Sequence, residues 1–181
     1  MTDAVAALFT SGEIVMLRSP LIALIALLAA GSARADVVTL PRSAPWTDAS
    51  TIATNIKTEC DLPGKLSAYI AEYAGEKRIS TRFADAVSPN DAGRVLVVEI
   101  DEAVSRGNAF IGHQKFTRAR GALYQDGQEL GTFVAQRYSM GGAFAGYKGS
   151  CSVLGRTVKA IGKDVAEWMA APTKDARLGD Q

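Results

Sequence analysis

Hydrophobic and polar residues alternate most regularly from Arg94 onward. Leu96, Val98, Ile100 and Val104 fall on one side of an extended chain, and Val95, Val97, Glu99, Asp101 and Ala103 fall on the other. A period of two predicts a strand with one face in a core. After a break at 108–112, the segments 114–124 and 129–138 flank Gln125-Asp126-Gly127-Gln128. An Asp-Gly pair between two strand-like runs predicts a tight hairpin, because both central residues must take positive φ. Three consecutive antiparallel strands are the simplest topology. On their more polar face, Glu99 and Asp101 are expected across from Arg118, Arg120 or Arg137.

The period lengthens to 3.6 in two places. Leu62, Leu66, Tyr69, Ile70 and Tyr73 share one helical face, with Asp61 as the N-cap, Pro63 in the first turn and an end near Gly75. Cys151, Leu154, Val158, Ile161, Val165 and Trp168 recur at intervals of three and four until Pro172, which predicts a long amphipathic helix. Gly155 and Gly162 each weaken that helix by about 1 kcal/mol relative to Ala, and close approach to the sheet is the expected reason for them. The signals elsewhere are weaker. Residues 36–50 read as an extended lead-in docked through Trp46, 51–58 as a first strand, 79–83 as a short strand, 88–93 as a turn, and 173–181 as a disordered tail. The expected fold class is α+β. It is a two-layer sandwich in which an antiparallel meander of three to four strands is packed on one face by two helices and closed by one disulfide.

The apolar run Leu21 to Ala30 is too short to span a bilayer, which takes a helix of roughly twenty residues. Arg18 precedes it and Ala33-Arg34-Ala35 follows, the order of a secretory signal peptide cleaved after Ala35. The expected organisation is therefore a signal peptide over 16–35 and a single α+β domain over 36–172. Asp3 and Glu13 do not suit the basic start of such a leader, so Met16 is the expected initiator and 1–15 an over-extended reading frame. Asp36 stands where a lipoprotein would carry a cysteine, so no stable membrane anchor is expected after cleavage, and the location is periplasmic or secreted.

Cleavage leaves about 146 of the 181 residues, enough for one proper core. The net charge of +1 is unchanged by losing the leader, and it excludes the strong basic excess of a nucleic-acid binder or a polybasic membrane-surface protein. Cys60 and Cys151 are the only cysteines, and in an exported chain such a pair predicts a disulfide. Two distant cysteines and one histidine make a poor zinc site, so neither a metal nor another cofactor is expected.

One stretch stands out chemically. Gly141, Gly142, Gly146, Lys148 and Gly149 lead into the long helix at Ser150. A glycine-rich approach to a helix N-terminus can hold an anion, with Gly141, Gly142, Lys148 and Ser150 as the candidate ligand-binding residues. The order Lys148-Gly149-Ser150 is not that of a Walker A loop, and a plain strand-to-helix connection with Phe144 and Tyr147 on the core explains the same residues. His113, the single histidine, is the one candidate base for a hydrolase, but no Gly-x-Ser-x-Gly elbow presents a serine to it. Glu99, Asp101 and Glu102 form a carboxylate cluster of the kind that performs acid and base work.

The leader, the strand from Val95 to Ile100, the Asp126-Gly127 hairpin, the Gly141-Gly142 loop, Cys151 and the helix bearing Asp164 and Trp168 before Pro172 together resemble a group of small exported proteobacterial proteins with no assigned activity. The resemblance spans most of 60–172. It implies a periplasmic or envelope location and supplies no catalytic residues. The leading expectation is a non-enzymatic exported domain that binds an envelope protein or helps envelope assembly. A binder of a small ligand or anion using the 141–150 loop with Lys148 is the alternative, and a hydrolase built on His113 the third reading.

Overall fold

The computed structural model describes residues 37–47, 52–108, 112–139 and 149–180. They form strand β1 (Val37–Pro41), helices α1 (Thr54–Glu59) and α2 (Leu62–Glu76), strands β2 (Ser80–Ala84), β3 (Arg94–Asn108), β4 (Gly112–Gln125) and β5 (Gln128–Tyr138), helix α3 (Ser150–Ala170) and strand β6 (Ala176–Gly179). The strands make one mixed sheet in the order β2-β1-β3-β4-β5-β6. The fold is α+β, and the three long central strands are the antiparallel meander the alternation predicts. The meander is only half of the sheet. β1 runs parallel to both β2 and β3, and β6 runs parallel to β5.

The helices lie on one side of the sheet. A single core cluster joins Leu62, Leu66 and Ile70 of α2 and Leu154, Val158, Ile161 and Val165 of α3 to Val38, Leu40, Leu96, Val98, Ile100 and Phe133 of the strands. The Asp126-Gly127 turn takes φ of 49° and 84°, as a two-residue hairpin demands. Asp126 also ties the turn to the start of β3, its carboxylate accepting from the Gly93 amide at 2.7 Å. α2 begins as expected, with the Asp61 carboxylate accepting from the Gly64 amide.

Five expectations are corrected. The lead-in is a strand between two others, with Val38 and Leu40 fully buried; Pro41 and Pro45 lie at its end and beyond it, where they break no ladder. Residues 54–59 are a helix, not part of a strand: Ile52 and Ile56, four residues apart, both turn into the core, and the Thr58 hydroxyl bonds back to the Thr54 carbonyl. The tail forms β6, held because the Trp168 indole donates to the Thr173 carbonyl and Asp180 is tied to β5, so the ordered domain continues past residue 172. In β3 the alternation slips at a bulge between Ile100 and Glu102, which turns Ala103 into the core in place of Val104. Gly162 admits a helix, not the sheet: a Cβ there would lie 2.6 Å from Tyr69 Cβ on α2.

Candidate functional site

Cys60 and Cys151 are joined in a disulfide, their Cα atoms 4.8 Å apart. The geometry follows from the helices, since Cys60 lies between α1 and α2 and Cys151 lies in the first turn of α3, so the bridge fastens the starts of α2 and α3 together.

Of the candidate ligand residues, Ser150 alone lies in the described part, at the head of α3. Ser150 is the first residue of α3, and its hydroxyl accepts from the Ser105 hydroxyl of β3 at 2.7 Å. Gly141, Gly142 and Lys148 lie outside the described residues. His113 is placed by its backbone opposite Gly107 in the β3–β4 ladder, and its side chain is outside the described part. The N-cap Gly149 offers no side chain to the first turn of α3, and that turn holds no acidic residue. Two turns along, the Thr157 hydroxyl meets that of Thr117 on β4 at 2.7 Å in a fully buried contact.

Beside these lies Lys115, which sequence reasoning missed. It is only 9% exposed. Its position follows from strand parity, because Lys115, Thr117, Ala119 and Leu123 alternate toward the helices. Reading β4 by parity from Leu123 back would have found a charged residue in that inward row.

The carboxylate cluster is committed elsewhere. On the face of the sheet away from the core, Arg120 pairs with Glu99, and Arg118 pairs with Asp101 at 3.0 Å and Glu102 at 3.2 Å. The expected partners are thus met for Arg118 and Arg120, whereas Arg137 points to the helix side and binds Asp164. Hydrogen bonding to Asp164 makes the Arg137 guanidinium hold its proton more tightly than usual, against the opposing effect of burial. Between the Glu99–Arg120 pair and Arg177, a shallow groove of about 440 Å³ crosses the helix-free face over Val97, Ala122, Thr132 and Val134. Among the described residues, no three His, Cys, Asp or Glu side chains gather as a metal shell would, and no helix is long and apolar enough to cross a membrane.

No protein-family model and no curated protein matches the chain. Among solved structures, it is similar to the PelC dodecamer from Paraburkholderia phytofirmans, with 14% identity and a TM-score of 0.46 over 72% of this chain and 89% of that one. It is also similar to a minor lipoprotein from Acinetobacter baumannii, with 12% identity and a TM-score of 0.41 over 76% of this chain and 94% of that one.

Proposed function

We propose that this protein is an exported domain of the bacterial envelope that acts by binding, not by catalysis. The observation that carries the reading is the Cys60–Cys151 disulfide, a bond that persists in oxidising compartments and is rare in the cytoplasm. The leader over 16–35 agrees with it. The carboxylates best suited to acid and base work are engaged by Arg118 and Arg120, which favours a recognition surface over a reaction centre. The helix-free face, with its groove over Val97, Ala122 and Val134, is the surface assigned to a partner.

The test is expression with the native leader in a proteobacterial host, followed by fractionation, N-terminal sequencing and thiol labelling. The expected product starts at Asp36, is found in the periplasm or medium, and takes no label before reduction. A cytoplasmic product with labelled cysteines overturns the export reading. Capture from envelope fractions with the wild type and with Val134→Arg tests the surface, since recovery of the same species by both removes the helix-free face from the proposal.

A further inference from the structure

An edge strand presents main-chain donors and acceptors that a sheet must cover, block or use. β2 is an outer strand, and among the described residues it pairs only with β1. The ladder decides which of its groups are open. The Ala84 carbonyl accepts from the Arg42 amide at 2.7 Å, so Ala84, and by alternation Arg82 and Ser80, turn their main-chain groups toward β1. Those of Thr81 and Phe83 point outward. The edge is open to solvent, since Ser80, Arg82 and Phe83 are all exposed, and the Phe83 ring is 37% exposed despite being apolar.

The side chains of β2 divide by face. Thr81 and Phe83 stand opposite Val38 and Leu40, which belong to the core beneath the helices. Arg82 stands opposite Thr39 and donates to its hydroxyl at 3.0 Å. The edge therefore carries Phe83 on the helix side and a cation on the helix-free side. Arg42, which lies over the Phe83 ring, is paired with Asp85. Arg82, and Arg78 just before the strand, meet no carboxylate among the described residues, so the edge is left positive.

These features select the occupant. Antiparallel pairing of two β2 strands through all their outward groups sets Thr81 of each against Phe83 of the other. That register brings the two Arg82 residues directly opposite, with Cα atoms about 4.5 Å apart. Like charges so placed repel, which disfavours a second copy. A strand with a carboxylate at that position turns the same repulsion into attraction. We infer that the open edge of β2 receives an extended acidic peptide segment as a further strand. Its main chain bonds the outward groups of Thr81 and Phe83, an acidic side chain faces Arg82, and apolar side chains on the other face cover Phe83. The edge is separate from the groove on the helix-free face, which is built on β3 to β6, and it does not depend on the protein being exported.

The experiment uses the whole protein and two short capped peptides, one alternating Val with Glu and the other Val with Lys. Binding is read by NMR titration and by hydrogen exchange at individual amides. The Val-Glu peptide is expected to shift and protect the Thr81 and Phe83 amides saturably, and the Val-Lys peptide to bind about threefold or more weakly. Arg82→Glu reverses that preference. Thr81→Pro abolishes binding but keeps the ladder to β1, because the amide it removes is an outward one and proline is tolerated on an edge strand. Both variants melt close to the wild type, which separates loss of the edge from loss of the fold. Should Thr81→Pro unfold, the reversal in Arg82→Glu decides alone. The inference is overturned if neither peptide affects the two amides, if both bind equally, or if Arg82→Glu leaves the preference unchanged. Protection of the same amides by rising protein concentration alone also overturns it, and makes a second copy the occupant.

Discussion

Arg137 of β5 grips Asp164 of α3 with two parallel hydrogen bonds, Nε and Nη2 each 2.7 Å from a carboxylate oxygen. Its remaining Nη1 reaches Asp180, beyond β6, at 3.0 Å, and Asp180 in turn accepts from the Tyr138 amide. One guanidinium therefore joins the sheet, the long helix and the end of the chain. The two carboxylates are unequal, because Asp164 is mostly buried and Asp180 is half exposed. Asp164→Asn is expected to lower stability by about 1–3 kcal/mol, since it removes the charge and turns one acceptor into a donor facing a donor. Asp180→Asn is expected to lower it by about 0–1 kcal/mol. Urea denaturation measures both. Hydrogen exchange at β6 rises in each variant, and equal global losses from the two would contradict the assigned roles.

Two glycines of α3 predict opposite signs for the same substitution. At Gly162 an added methyl meets Tyr69 Cβ at 2.6 Å and the Tyr69 carbonyl carbon at 3.0 Å, so α2 and α3 must separate. Overpacking of this kind typically costs about 1–3 kcal/mol, which outweighs the gain of about 1 kcal/mol in helix propensity. At Gly155 nothing lies within 4 Å of the added atom. Gly155→Ala is therefore expected to stabilise by up to about 1 kcal/mol, and Gly162→Ala to destabilise, with melting temperatures moving in opposite directions.

The parts legible in the sequence are those whose signal is local and repeated. The apolar stripe of α3 recurs over five turns, and Asp126-Gly127 carries the backbone chemistry of its own turn, so both emerge without knowledge of partners. β1 and β6 do not. They have five and four residues, and their neighbours are remote in sequence: Val38 pairs with Thr81 and Arg94, and Phe133 pairs with Ala176. Their stability comes from that tertiary pairing and not from propensity. The bulge in β3 is silent for a different reason, because Ala103 and Val104 are both apolar and a slip of one residue leaves the pattern plausible. At the head of α3, Ser150 and Cys151 announce themselves through the helix start. Lys115 does not, since only the inward parity of β4 reveals on which side of the sheet it lies.

The disulfide closes a separation of 91 residues. In the chain-entropy picture such a loop stabilises by about 4–5 kcal/mol as an upper figure, a large part of what a small domain possesses. Reduction of the wild type is expected to lower its melting temperature substantially. A Cys60→Ser, Cys151→Ser double variant starts at the lower value and is unmoved by reductant. A double variant that still responds to reductant would show that the stabilisation lies elsewhere.

The buried hydroxyl pair of Thr117 and Thr157 is asymmetric, and the asymmetry can be measured. Thr157 donates to the Leu154 carbonyl at 2.8 Å within its own helix, which leaves its oxygen to accept from Thr117. Replacing Thr117 with Val removes a donor but leaves the Thr157 proton satisfied and fills nearly the same volume. Replacing Thr157 with Val instead strands the Thr117 hydroxyl, fully buried, without the acceptor it faces. An orphaned buried donor costs about 1–3 kcal/mol, whereas a lost neutral hydrogen bond whose partner stays satisfied costs about 0.5–1.5 kcal/mol. Thr157→Val is therefore expected to be the more destabilising by about 1 kcal/mol. In the double variant both polar groups are gone, so its loss falls below the sum of the two single losses, as a thermodynamic cycle from urea denaturation will show. Strict additivity would mean that the two hydroxyls do not interact.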